Sequence, residues 1–167
     1  GHASVDHKTV INYLNNLCDA FLFYRADRYD IKGKAYLKTL FKYYSVDIGL
    51  RNAFLNFRQI EPTHTIENIV YLELLHRGYI VDIGKNDQKE IDFIAKNMKD
   101  TFYIQVTYTM VDESTREREL GSFKKLDDGY KKIVVTMDDD PFTNLENGYK
   151  KLNILDFLLD ERSLENV

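Results

Sequence analysis

The sequence predicts an α/β fold, and three observations predict it. An apolar helix is expected over residues 66–77, three short strands follow between residues 79 and 108, and a helix near 114–126 leads into an apolar strand at 131–137. Apolar residues at helical spacing mark the helices, and short β-branched or aromatic runs bounded by turn residues mark the strands. With 44% apolar and 13% aromatic side chains in 167 residues, the chain can bury the core of one domain plus a small appendage.

Residues 9–20 place Val10, Tyr13, Leu14 and Leu17 at helical spacing, with Phe21 following and asparagines between, which predicts an amphipathic helix. The run Phe21 to Tyr29 is aromatic and extended in character; Lys32-Gly33-Lys34 offers a turn before Ala35-Tyr36-Leu37. Helix, strand, basic turn and strand form either the back half of a winged helix, a partial winged-helix-like segment over residues 3–42, or an ordinary helix–hairpin packing unit. On the first reading Arg25, Arg28, Lys32 and Lys34 are the candidate nucleic-acid contacts.

Residues 42–52 lead from a strand or turn into a short helix ending near Phe57, and Pro62-Thr63-His64-Thr65 punctuates the chain. The helix Ile66 to Arg77 is expected to start at a Thr65 cap and stop at Gly78. Its apolar residues point in nearly every direction, which marks a helix buried on most sides, and Glu67 lies among them. A carboxylate in that sector needs a reason.

Tyr79 to Ile83 is expected as a strand ending at Gly84, Glu90 to Ala95 as a second and Phe102 to Tyr108 as a third. Alternation puts Ile91, Phe93 and Ala95 on one face, Glu90, Asp92 and Ile94 on the other, and Tyr103, Gln105 and Thr107 together. A hairpin centred between Met98 and Lys99 sets Asp92 opposite Gln105 and Glu90 opposite Thr107. Ser114 and Glu117 form a capping-box pattern for the next helix, Lys131 to Met137 a buried parallel strand, and Asp138-Asp139-Asp140-Pro141 a solvated turn. A strand at 149–154 and a helix at 155–161 complete the domain, 43–167.

Composition narrows the function classes. No run approaches the roughly 18 apolar residues of a membrane span, and the N-terminus lacks a signal-peptide pattern. The single Cys18 suits a reducing compartment, so a soluble, cytoplasmic protein without a membrane partner is expected. A net charge of -4 argues against tight nucleic-acid binding by the whole molecule, but residues 1–42 carry seven Lys and Arg against four Asp. A basic front permits a local nucleic-acid contact, or a polar surface between domains.

Helix, three-stranded meander, helix and strand with carboxylates at these places resemble the PD-(D/E)XK nuclease superfamily, over roughly residues 43–160. The resemblance implies a restriction-endonuclease-like αβββαβ core with Asp92 as the first acid and Glu67 as the helical one. It implies a bound magnesium or manganese held by Asp92, Glu67 and, by proximity, Glu90. Gln105 stands where the second acid belongs and Thr107 where the lysine belongs. Gln offers magnesium a neutral oxygen where an anionic one is preferred, and Thr cannot offset phosphate charge, a loss on the order of 100-fold or more in rate.

A second resemblance runs along nearly the whole chain. Asn12-Tyr13-Leu14, Tyr43-Tyr44-Ser45-Val46-Asp47-Ile48-Gly49-Leu50-Arg51-Asn52, Glu67-Asn68-Ile69-Val70-Tyr71, Glu90-Ile91-Asp92-Phe93 and Tyr103-Ile104-Gln105-Val106-Thr107 are similar to the C-terminal region of prokaryotic AAA+-type P-loop ATPases whose tail is a domain of unknown function. It implies an ATP-binding half elsewhere, since this chain lacks Gly-x-x-x-x-Gly-Lys-Ser/Thr.

Three functions stay open on the sequence. One is a catalytically degenerate nuclease-like module that binds nucleic acid or a partner protein. The second is a magnesium- or manganese-dependent DNase. The third is an oligomerisation or regulatory tail that self-associates through its aromatic-rich segment, residues 21–44.

Overall fold

The computed structural model describes residues 6–58, 61–140 and 143–167, apart from the side chains of residues 39 and 40. The mixed α/β architecture is present: a seven-stranded sheet carries helices on both faces. Helix α1 (His7–Asp19) precedes the hairpin β1 (Phe23–Asp30) and β2 (Ala35–Ser45), and α2 (Ile48–Phe54) and α3 (Pro62–His76) follow. Then come β3 (Ile80–Asn86), β4 (Lys89–Lys96), β5 (Thr101–Val106), α4 (Glu113–Gly121), β6 (Lys131–Thr136), β7 (Lys150–Asn153), α5 (Ile154–Leu159) and α6 (Ser163–Asn166).

The strand order is β2-β1-β3-β4-β5-β6-β7. β3, β4 and β5 form the antiparallel meander, and β6 and β7 add in parallel. The β1–β2 hairpin joins the same sheet, because β1 pairs in parallel with β3 from Arg28 opposite Ile83 to Asp30 opposite Lys85. The boundary expected between residues 42 and 43 therefore falls inside β2, and residue 3 and Pro141 lie outside the described residues.

Two apolar clusters sandwich the sheet. On one face Ile66, Val70, Tyr71 and Leu74 of α3 pack on Ile83, Phe93, Ile104 and Ile133, together with Phe157 and Leu164. On the other, Leu120 and Phe123 meet Ile91, Ile94, Tyr103 and Val134. Helix α3 begins a turn before the expected start, at Glu61 with Pro62 in its first position, where proline loses no intrahelical bond. Gly78 ends it at a φ of 79°, which only glycine adopts freely. Strand β3 continues through Gly84 to Asn86. The expected capping box does not form: α4 starts after Asp112, with no side-chain cap bond, and stops at Gly121.

One irregularity positions the site. Asp82 pairs with Ile94 but Gly84 pairs with Ile91, so β4 carries one residue more than β3 over this stretch. Such a bulge resets the alternation. Ile91 consequently joins Ile94 in one cluster while Phe93 and Ala95 lie in the other, which corrects the simple period of two expected here. Gly84 faces the bulge, and a Cβ there would stand 2.9 Å from the Cβ of Ile91 and 3.1 Å from Ile94 Cγ1. Only the absence of a side chain lets both isoleucines lean over that strand.

Candidate functional site

The β4–β5 hairpin has the expected register, with Phe93 opposite Ile104 and Ile94 opposite Tyr103. Regular pairing ends at Phe93, immediately before Asp92. From there side chains replace the ladder: the Asp92 N–H donates to Gln105 Oε1 at 2.8 Å, and the Val106 N–H donates to Asp92 Oδ2 at 2.8 Å. Asp92 and Gln105 are thus brought together as the sequence predicts. Thr107 is not part of this contact. It is buried, its N–H donates to Val135 O, and its hydroxyl reaches Thr109 O at 3.3 Å. Glu90 instead pairs with Lys85 across β3.

Glu67 enters from α3, and Lys42, from β2, occupies the space between the carboxylates. Its Nζ lies 2.7 Å from Glu90 Oε1, 3.0 Å from Glu67 Oε1 and 4.0 Å from Asp92 Oδ1. Tyr44, two residues on and therefore on the same side of β2, donates its hydroxyl to Glu67 Oε1 at 2.7 Å. Arg28 of β1 binds the second oxygen of Glu90 at 2.6 Å. Two cations thus face two anions, with Asp92 beside them.

Electrostatics follow from this packing. Burial opposes the charge on Lys42, but Glu67, Glu90 and Asp92 together outweigh it and raise its pKa, so the side chain is a permanent cation. Burial, then Glu67, hold the Tyr44 phenol far above its usual value, so it remains a donor. Burial first, and then Glu67, push Asp92 well above the ordinary carboxylate range; the Val106 N–H and Lys42 pull it back only in part.

Glu119 of α4 was not singled out by sequence. It is buried, accepts from Gln105 Nε2 at 2.9 Å and pairs with Arg118 Nη2 at 2.7 Å. Lys89, Glu90, Asp92, Gln105, Arg118 and Glu119 line a cavity of about 240 Å³. Gln105 is bonded at both ends, its oxygen accepting from the Asp92 N–H and its nitrogen donating to Glu119, so it acts as a strut between β4 and α4. Lys42, Tyr44 and Glu119 escaped prediction because each reaches the site from a distant element.

Glu67, Glu90 and Asp92, the expected metal ligands, lie around the Lys42 ammonium at 3.0, 2.7 and 4.0 Å. A divalent ion placed between these oxygens would collide with Lys42 Nζ. Among the described residues no three His, Cys, Asp or Glu side chains are arranged to hold a metal ion. As they stand the residues do not fit magnesium or manganese.

The four basic residues expected to contact nucleic acid lie on the β1–β2 hairpin, and three of them are ion-paired. Arg25 pairs with Asp27 at 3.2 Å, Lys32 with Asp87 at 2.6 Å and Arg28 with Glu90 in the site, while Lys34 is exposed in the hairpin turn. In the aspartate run, Asp138 is a structural cap: its carboxylate accepts from the Thr109 hydroxyl at 2.6 Å and from the Met110 N–H at 2.8 Å. Asp140 pairs with Lys151. No helix among the described residues is long and apolar enough to cross a membrane.

Comparison with known proteins places similarity without a function. A family model described as a domain of unknown function, DUF8612, matches residues 1–61. Over 151 residues, 90% of its length, the chain is 43% identical to an uncharacterized protein of Haemophilus influenzae, of which the match covers 37%. It is 27% identical over 165 residues, 93% of its length, to an uncharacterized protein of Methanocaldococcus jannaschii, of which the match covers 34%. The chain therefore spans about a third of the length of these curated relatives. No solved structure matches it.

Proposed function

We propose that this chain is a non-cleaving nuclease-like module of a longer protein, and that it serves as a binding surface for nucleic acid or a partner protein. The observation that carries the reading is Lys42: its ammonium sits between Glu67, Glu90 and Asp92, where a PD-(D/E)XK enzyme would hold its metal. Support also comes from the element order α3, β3, β4, β5, α4, β6 and from Asp92 at a bulge where two strands part. Gln105 supplies neither a second anion nor a free ligand, being bonded at both ends. The partial winged-helix assignment of the α1–β1–β2 segment and a parent P-loop ATPase belong to the same proposal; roughly two thirds of each relative lies outside the match and leaves room for an ATPase half.

A binding role fits the surface as well. Helix α1 is amphipathic yet buries none of its side chains, and Tyr13, Phe21 and Phe54 stand more than half exposed. The competing reading, a magnesium- or manganese-dependent DNase, has one observation in its favour: Lys42 supplies the cation that Thr107 lacks. Incubation with supercoiled plasmid and manganese separates the two. The module reading expects no nicking above that of Asp92→Ala, and metal-dependent nicking that disappears in Asp92→Ala would overturn it.

A further inference from the structure

On the outer side of Lys42 a second cavity of about 260 Å³ opens, lined among others by Tyr43, Arg51, His64, Glu67 and Asn68. We infer that it is a phosphomonoester pocket, with Arg51 as its principal anion contact, His64 as a flanking donor and Tyr43 as an aromatic wall. The inference goes beyond the module reading and does not depend on the history of the metal position.

Arg51 is the reason. Arg25, Arg28, Arg77 and Arg118 all pair with carboxylates, whereas among the described residues no carboxylate pairs with Arg51, Arg58, Arg116 or Arg162, and of these four only Arg51 lines this cavity. Its recorded bond is a 3.1 Å contact from Nη1 to the neighbouring Asn52 side chain. A guanidinium carries five donors in a planar fork, a shape that suits a phosphate group. Side-chain bonds fix the backbone around Arg51. Asp47 caps α2 through the Leu50 N–H at 2.9 Å, and Asn68 of α3 clamps the Ser45 backbone, accepting at 2.9 Å and donating at 2.9 Å.

The opposite wall carries both signs of charge: His64 lies in the first turn of the 15-residue helix α3, with the carboxylate of the cap residue Glu61 beside it. His64 Nδ1 lies 3.0 Å from Glu61 Oε2, which leaves Nε2 for a ligand. On the floor, the Tyr44 hydroxyl and Lys42 both bind Glu67 Oε1, and the lysine charge offsets that of the carboxylate. The volume lies just below the roughly 300 Å³ at which drug-sized pockets begin. It suits a phosphate with an attached sugar or base edge better than a larger molecule. Tyr43 offers that base a stacking surface.

Calorimetric titrations with inorganic phosphate, deoxythymidine monophosphate, and a short single strand with and without a 5′-phosphate test the inference. The phosphorylated strand is expected to bind at least about 10-fold more tightly than its unphosphorylated twin. Arg51→Gln and His64→Ala are each expected to remove that advantage, while Arg58→Ala, at an exposed site outside the pocket, keeps it. Equal binding of inorganic phosphate and the phosphorylated strand would support the pocket with free phosphate as its ligand. Indifference to the 5′-phosphate together with no binding of the two small probes, or full retention of phosphate binding in Arg51→Gln, would overturn it. Plasmid nicking by the wild type would end the non-cleaving reading and leave this result standing.

Discussion

Replacing Asp92 with asparagine tests whether the site holds this carboxyl neutral. Burial, then Glu67, push it from 3.8 up to about 8 in the folded chain. The folded state therefore binds the proton more tightly than the unfolded one. Stability linked to this group is fully present below 3.8 and is lost as the pH rises through about 8. Each tenfold difference in proton affinity is worth about 1.4 kcal/mol, so the whole span would approach ~6 kcal/mol. Of the Asp92 side chain 16% still meets solvent, and screening brings the expected loss between pH 5 and 8 to about 2–4 kcal/mol. Asparagine keeps the shape and a carbonyl oxygen for the Val106 N–H. Urea unfolding followed by circular dichroism, at intervals from pH 5 to 8.5, should show Asp92→Asn gaining about 2–4 kcal/mol on the wild type as the pH rises. Parallel pH profiles, or a variant less stable than the wild type at pH 8, would refute the reasoning.

Other substitutions probe the supports of the site. Tyr44→Phe removes the donor 2.7 Å from Glu67 and should destabilise the fold by about 1–2 kcal/mol in the same unfolding assay. Gln105→Ala strands the Asp92 N–H and Glu119 Oε2, and a loss of about 2–3 kcal/mol is expected. Gly84→Ala would force a methyl to 2.9 Å from Ile91 Cβ; thermal unfolding should record a loss of about 1–3 kcal/mol as the bulge adjusts.

Local pattern made much of the fold legible. Residues 66–77 read as a buried helix because their apolar side chains cover its circumference, and the 92–105 pairing followed from one hairpin centre and a period of two. What stayed hidden is non-local. β4 contains no glycine or other marker of its bulge; the signal is Gly84, on the neighbouring strand, with no side chain to oppose Ile91 and Ile94. Lys42 precedes Glu67 by 25 residues and reaches it from the edge strand of the sheet. Its role depends on a tertiary contact that periodicity does not encode. Glu119 stands in a charged helix whose sequence resembles a solvated face, yet Leu120 and Gly121 beside it are buried. A hidden carboxylate next to a buried Leu-Gly step was the available clue. The Ser114–Glu117 pattern misled because the cap position falls on Asp112, two residues before Ser114.

The charge arithmetic of the site explains why Lys42 outweighs the other departures. On the nuclease-like reading we propose, Gln105 and Thr107 each lack one catalytic contribution, and a lysine between three carboxylates supplies positive charge that lets those oxygens lie close together. The chain itself supplies the cations that face these carboxylates.

Manganese binding measured by titration calorimetry, on the wild type and on Lys42→Ala side by side, tests that claim most directly. The account predicts no binding by the wild type at low millimolar metal and one newly bound ion in the variant, since removing the ammonium frees the space between Glu67, Glu90 and Asp92. One manganese bound by the wild type, with affinity unchanged or lower in Lys42→Ala, would contradict it.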